Sequence, residues 1–565
     1  MAKFGGTKTK SRGTLLGTTG EKTATHEGGI GFVREPQAEL YLTAVSTTLE
    51  PTFYESPSDR ENRLRELVKK VTLEDPQWVL NFVAWLRGTA NMRSVSILVA
   101  AEFVKARLDA GVSEGPAVGA RTAHEADVEE TAGIKAPTVP GLNRQVISAA
   151  ILRADEPGEF IAYWQTRYGR NLPMPVKRGV ADAARKVFNQ RAALRYDGGR
   201  GAMRLGDVVE LTHPAPKGPE QSALFGWLLD RRHGRRETPA ADMALLKAVS
   251  NRLELNELPI AERHAFARQV LAGEPDAEFR WLQALAGQWE WGKSWLGQDA
   301  EDRTFDRVSD AEQWKLFVQH GMGYMALLRN LRNFDEAGID NDLQMHVKAI
   351  LASEDEVKKS RQLPFRFFSA FKATSGNHWS RVLSKGLQYS LANVPSLDGN
   401  SLLLVDMSGS MFYGARGSIQ NAEIAALFGS AVALRAEAAD LVQFGSGSAQ
   451  VPLNKGKSVL DHMAKFSSMG GTQTMEAVRT WFKPGEHTRV IIVTDEQSHY
   501  DRLGGGLDTL VPADVPTYVW NLAGYAPATM ESGPNRHTFG GLTDQSWGLI
   551  PQIEVGVEQN WPWET

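Results

Sequence analysis

The chain contains no cysteine. That excludes disulfides, cysteine-ligated zinc and thiol catalysis, and it is consistent with a cytoplasmic protein. No run of about 18 uninterrupted apolar residues occurs, so neither a transmembrane helix nor a membrane partner is expected. The opening residues, MAKFGGTKTKSRGTLLGTTG, include basic side chains but no apolar stretch, so they do not read as a signal peptide. Common catalytic signatures are missing too. There is no Walker lysine loop, no His-Glu-x-x-His and no nucleophile elbow. Strand patterns are nearly absent before residue 400.

What is present fits a soluble chain of more than one domain. Its 565 residues exceed what one core holds, and 42% apolar with 23% charged residues are ordinary values. The net charge of −4 conceals an asymmetry. Residues 395–565 carry 18 acidic and 10 basic side chains, a balance of −8, which leaves +4 on residues 1–394. Halves of opposite sign point to different partners, and the basic half is the one to test for a polyanion.

Residues 1–30 are rich in Gly, Thr and Lys without apolar periodicity and read as a flexible basic arm. Helical spacing dominates from about residue 58. Asp75-Pro76 is a helix start, and Trp78, Val79, Phe82, Val83, Trp85 and Leu86 follow as an apolar stripe. Residues 109–142 are poor in apolar residues and contain several Gly and Pro, as in a surface insertion. Ser309-x-x-Glu312 is a capping box ahead of Trp314 and Phe317. Many short helices with short connections predict an α-solenoid of paired helices over 31–394. After residue 400, β runs at 402–405, 440–444, 490–494 and 516–521 alternate with helical segments. That pattern predicts a parallel sheet covered on both faces over 395–565.

One of those β runs ends in a candidate cation site. Leu402-Leu403-Leu404-Val405 reads as a buried strand, and it stops at Asp406-Met407-Ser408-Gly409-Ser410. Alternate positions let Asp406, Ser408 and Ser410 face one point. An oxygen-only set suits Mg²⁺, with Mn²⁺ or Ca²⁺ as alternatives, rather than zinc or copper. Met469-Gly470-Gly471-Thr472-Gln473-Thr474 is a tight hydroxyl-bearing turn, and Val490-Ile491-Ile492-Val493-Thr494-Asp495 is a second strand ending in Asp. Ligands in such sheets gather at the carboxyl ends of strands. Together these pieces resemble a von Willebrand factor type A domain with its metal-ion-dependent adhesion site. The resemblance implies Asp406, Ser408, Ser410, Thr472 and Asp495 as metal ligands, with a partner's carboxylate completing the cation. Asp495-Glu496 could suggest phosphodiester cleavage, but one cation with few carboxylates is a poor two-metal site, so no enzyme is expected.

The densest basic stretch lies in the helical half. Lys177, Arg178, Arg185, Lys186, Arg191, Arg195, Arg200 and Arg204 are opposed only by Asp182 and Asp197. A solvated helix face and a nucleic-acid surface both fit this pattern. Tyr196 and the Gly198-Gly199 turn would offer a stacking face and close backbone approach. His213 would either cap a helix end or donate to a phosphate or base.

Several segments here resemble the TROVE module of the Ro autoantigen family. They are Asn91-Met92-Arg93, Glu159-Phe160-Ile161-Ala162-Tyr163-Trp164, Asp207-Val208-Val209-Glu210-Leu211-Thr212-His213-Pro214, Met325-Ala326-Leu327-Leu328-Arg329-Asn330-Leu331 and Leu363-Pro364-Phe365-Arg366. A TROVE module followed by a type A domain is the Ro architecture. It implies an all-α ring of HEAT-like repeats closed by a doubly wound α/β domain. The resemblance further implies a non-catalytic monomer that takes single-stranded 3′ ends of misfolded small RNAs in the ring and Y-like RNA on its outer basic surface. It would serve RNA quality control or act as an adaptor for an exoribonuclease. Arg195, Arg200 and His213 then fall near the pore-proximal RNA segment, with Lys177, Arg178, Arg185 and Lys186 upstream and Arg204 between. The competing reading is a cation-dependent protein-binding scaffold that acts without RNA.

Overall fold

The computed structural model describes residues 17–46, 56–112, 141–197, 203–234, 237–297, 306–360, 362, 364–374, 378–390, 396–413, 419–499, 506–533, 535–540, 549–554 and 561–564. Most of the 109–142 insertion, the Gly198-Gly199 turn and Arg200 lie outside them. The chain divides into two compact units. One comprises 75–362 with 370–386, and the other 1–74, 363–369 and 387–565.

The first unit is helical. Its helices pack in chain order, each against a near neighbour and often against the next but one, as in a helical repeat. Pro76–Gly88 packs on Arg93–Asp109 and Leu142–Ala150, Leu142–Ala150 on Met174–Val187, and Met174–Val187 on Leu205–Thr212. Later, Lys247–Glu257 packs on Pro275–Leu285, and Tyr324–Arg329 on Asn341–Leu351. The predicted start signals act as expected. The Asp75 carboxylate accepts the Trp78 N–H at 3.0 Å. Ser309 and Glu312 exchange hydrogen bonds as a reciprocal capping box, with the Ser309 N–H reaching the Glu312 carboxylate at 2.8 Å. The stripe from Trp78 to Leu86 is buried. A second aromatic cluster holds the middle of the unit, where Trp281 lies 5.8 Å from Trp291 and 5.7 Å from Trp295, ring centre to ring centre.

The second unit is built on a sheet. A short antiparallel hairpin, β1 (Thr18–Ala24) and β2 (Ile30–Arg34), comes first in the chain. The sheet itself contains β3 (Leu397–Asp406), β4 (Ala436–Phe444), β5 (Ser448–Gln450), β6 (Arg489–Thr494), β7 (Thr517–Asn521) and β8 (Arg536–Gly540). Its order is β5-β4-β3-β6-β7-β8, parallel except at the β4–β5 edge. Leu402, Leu404, Val442, Phe444, Val490, Ile492 and Val519 share one core with Met475 and Val478 of the helix Thr474–Trp481. Helix Asn421–Arg435 packs on β3, β4 and β6. Both faces are therefore covered, which is why β3 and β6 read as continuous apolar runs rather than alternating ones.

Two expectations are corrected here. Of the expected flexible arm 1–30, residues 1–16 lie outside the described residues, and 17–30 are not a flexible arm but belong to the ordered β1–β2 hairpin. The helices Pro36–Ser46 and Pro57–Glu74 group with the sheet rather than with the helical unit that follows. The reason is a set of contacts that local sequence does not announce. Phe32 exchanges main-chain hydrogen bonds with Ala528, Arg60 donates to the Ala523 carbonyl at 2.6 Å, and Arg63 donates to the Gly524 carbonyl at 2.9 Å. Neither strand of the hairpin carries enough apolar surface to stand alone.

Candidate cation site and basic face

β3 and β6 run side by side with Val405 opposite Val493, so their carboxyl ends bring Asp406 and Thr494-Asp495 to one edge of the sheet. Beyond Asp406 the chain turns into the short 3₁₀ segment Gly409–Phe412. That turn is held on every side. Asp406 accepts the Ser408 N–H at 2.8 Å. The Met407 N–H donates to Phe444 O at 2.8 Å, and the Gly409 N–H donates to Gly470 O at 2.6 Å. Gly470 has φ near +84°, a conformation that favours glycine and lets the 469–474 turn lie against the Ser408 turn.

The side chains converge. The Thr494 hydroxyl donates to Asp406 Oδ2 at 2.6 Å. The Ser408 and Ser410 hydroxyls lie 3.2 Å apart, and Ser410 sits close enough to the Asp495 carboxylate to favour its charged form. Asp495 Oδ1 accepts the Gln497 N–H at 3.2 Å, while its Oδ2 is buried without a hydrogen-bond partner. Thr472 is buried on the adjoining turn, and its carbonyl accepts the His499 N–H at 2.9 Å. Asp406, Ser408, Ser410 and Asp495 are thus linked into one cluster with Thr472 beside it. Thr494 was not singled out from sequence as a participant, although it immediately precedes Asp495.

The electrostatics are costly. Burial raises the pKa of Asp406 above the ordinary carboxylate range. Burial, together with the nearby Asp406 charge, pushes Asp495 up to about 7. Among the described residues no Lys or Arg forms an ion pair with either carboxylate, and no group of three or more His, Cys, Asp or Glu is placed to hold a metal ion. The donor set is therefore two buried carboxylates and hydroxyls, with one carboxylate oxygen lacking a partner. It fits a hard divalent cation that prefers oxygen ligands.

The basic stretch resolves into separate pieces. Lys177, Arg178, Arg185 and Lys186 all lie on the helix Met174–Val187, whose other face buries Val176, Val180, Ala183 and Ala184. Arg178, Arg185 and Lys186 are exposed and Lys177 is half-buried. None of the four forms an ion pair among the described residues. Both acidic residues of the stretch face elsewhere. Asp182 pairs with Arg144 at 2.7 Å, while buried Asp197 accepts the Leu205 N–H at 3.0 Å and lies 3.4 Å from Arg231. Arg195 is exposed at the end of the helix Gln190–Tyr196, and Arg204 caps the helix Leu205–Thr212 through its main chain. His213 ends that helix in a left-handed turn, with its N–H bonded to Val209 O at 2.9 Å and its side chain exposed. The guanidiniums of Arg153 and Arg195 lie 5.2 and 5.5 Å from the ring centre of Tyr196. Sequence reading missed Arg153, whose contact with Tyr196 crosses more than forty residues.

Residues 300–393 match the family model of the TROVE domain. The segments at 325–331 and 363–366 fall inside that match, and those at 91–93, 159–164 and 207–214 fall before it. No curated protein matches the sequence. Among solved structures, the Ro (Rsr) protein of Deinococcus radiodurans is similar in fold. It is 16% identical with a TM-score of 0.58, over 93% of this chain and 100% of that one. The chain therefore matches the TROVE domain over residues 300–393 and is similar in fold to a bacterial Ro protein.

Proposed function

We propose that this chain works by binding small non-coding RNA and not by catalysis. The observation that carries the reading is the outer face of the helix Met174–Val187. Four cations stand there without ion-pair partners among the described residues, in a chain that also matches the TROVE domain over residues 300–393. Cations left unpaired on a rigid helix are ready to neutralise phosphates, and this term dominates nucleic-acid affinity. In this reading the helices close a ring that takes single-stranded 3′ ends of misfolded RNAs, with Arg195, Arg200, Arg204 and His213 along the path. Y-like RNA occupies the outer basic surface. The chain acts as a cytoplasmic monomer in RNA quality control or as the adaptor of an exoribonuclease.

The test is a titration of 3′-tailed single-stranded RNA at several salt concentrations. Affinity should fall steeply as salt rises, and a flat response refutes the reading.

Asp406, Ser408, Ser410, Thr472 and Asp495 would hold a divalent cation, for which Mg²⁺ is the first choice. When bound, that cation supplies a fixed positive charge able to accept one further oxygen ligand from a partner. The buried acidic pair also favours a second reading, a scaffold that grips a protein carboxylate through the cation with no RNA involved. Partner capture that disappears with EDTA but is indifferent to ribonuclease would favour it.

A further inference from the structure

The residue that follows Asp495 accepts more hydrogen bonds than Asp495 does. Glu496 is fully buried and has a positive φ of 65°, which an L-residue adopts only when its surroundings fix it. Its carboxylate is bound by the Arg34 guanidinium, by the Asn521 amide, and by Thr529 through the main-chain N–H at 3.2 Å and the hydroxyl at 3.3 Å. Arg34 sits at the end of β2 with its side chain also fully buried. Its other terminal nitrogen donates to the carbonyls of Tyr525 at 3.0 Å and Ala526 at 2.7 Å.

The hairpin follows the loop further. The Thr25 hydroxyl donates to Ser498 O at 2.8 Å, the His26 N–H donates to the Gln497 side chain at 2.8 Å, and Glu27 lies 3.1 Å from the His499 ring. Gly29 is pressed so closely on this loop that a Cβ there would collide with the Ser498 carbonyl and come within 3.1 Å of that of His499. Residues 496–499 are therefore gripped one after another by a segment more than 450 residues away in sequence.

We propose that Arg34 and Glu496 are positioning residues for the cation, and that the β1–β2 hairpin is a clamp setting the aim of the Asp495 carboxylate. This rests on the reading of Asp406 and Asp495 as a cation site. Asp495 has its Oδ1 tied to the Gln497 N–H and its Oδ2 unpartnered, so the backbone of 496 and 497 decides where that free oxygen points. Residues that orient a metal ligand typically change affinity by roughly ten- to a hundred-fold when replaced.

The experiment measures Mn²⁺ affinity by calorimetry and by spin-probe titration on the full chain, with folding checked by circular dichroism. Arg34→Met and Glu496→Gln should weaken Mn²⁺ binding by roughly ten-fold or more, and Arg34→Lys should recover part of the loss. Gly29→Ala leaves every charge in place and should weaken binding too. It keeps the test open if Arg34→Met fails to fold. The control is Arg536→Met, which removes another buried arginine, paired with Asp508 at the far edge of the sheet. Equal losses in Arg536→Met and the clamp variants would reduce the effect to general destabilisation and overturn the proposal. Unchanged affinity in the clamp variants would overturn it as well. No Mn²⁺ binding by the unmodified chain would instead refute the cation site itself.

Discussion

Asp406 and Asp495 are fully buried carboxylates set among hydroxyls and main-chain donors. Lys177, Arg178, Arg185 and Lys186 stand on the outside of one helix with no ion-pair partner among the described residues. The first arrangement accumulates like charge where water cannot screen it, so it needs a scaffold that forces the groups together. The second leaves charge in solvent, where it costs little and constrains nothing. The acidic edge should therefore be sensitive to single changes and the basic face to summed charge.

The largest expected effect is at the acidic edge. Asp406→Ala should abolish bound Mn²⁺ or Mg²⁺, measured as metal content after gel filtration, while RNA affinity and its salt slope stay unchanged. A parallel loss of RNA binding would show that the two regions are not independent. Next, Arg34→Met leaves Glu496 buried without its cation and should cost about 3–5 kcal/mol of stability in denaturant titrations. On the basic face, Arg178, Arg185 and Lys186 changed together to Glu should weaken RNA binding uniformly across sequences. The log–log salt slope should flatten by roughly 0.7 for each phosphate no longer neutralised, whereas any one change alone should move affinity only slightly.

The two units should also respond oppositely to pH. With the cation removed, Asp495 holds a proton that the unfolded chain releases near pH 4, so stability falls as pH rises from about 4 to about 7, and the raised Asp406 acts in the same direction. His264 in the helical unit behaves in reverse. Burial lowers its pKa, and its neutral ring accepts the Val308 N–H at 3.1 Å and donates to Leu296 O at 3.0 Å. The unfolded chain takes up that proton first, so stability falls as pH drops below about 6.5. Melting curves of EDTA-treated protein across this range should show opposed shifts of two transitions. Movement of both in the same direction would break the contrast. The smallest effect is at Ser309→Ala, which removes a solvent-facing cap and should cost about 1 kcal/mol.

Much of this was legible because its causes are local. Asp75-Pro76 and Ser309-x-x-Glu312 start helices by bonds spanning three residues, and the apolar runs of β3 and β6 follow from burial on both faces. Asp406, Ser408 and Ser410 come from one turn, so their spacing alone predicts convergence. Arg34 gave no signal, because the carboxylate that explains it lies 462 residues away in sequence. β8, with sequence RHTFG, is too polar to read as a strand and is fixed by pairing with β7. The basic stretch was ambiguous for a related reason. Whether Asp182 neutralises its neighbours depended on Arg144, and that pairing becomes visible only when two helices pack.

The ion pair between Arg34 and Glu496 also sets a timetable. A ribosome adding roughly 5–20 residues per second delivers Glu496 about half a minute to a minute and a half after Arg34, given the 462 residues between them. Through that interval the β1–β2 hairpin lacks its partners at 496–499 and Ala528, while the helices of the other unit can pack as each emerges. The acidic edge is therefore completed only after every helix of the other unit has been made. A nascent chain stalled before residue 496 would present its basic helices complete and its cation site unbuilt.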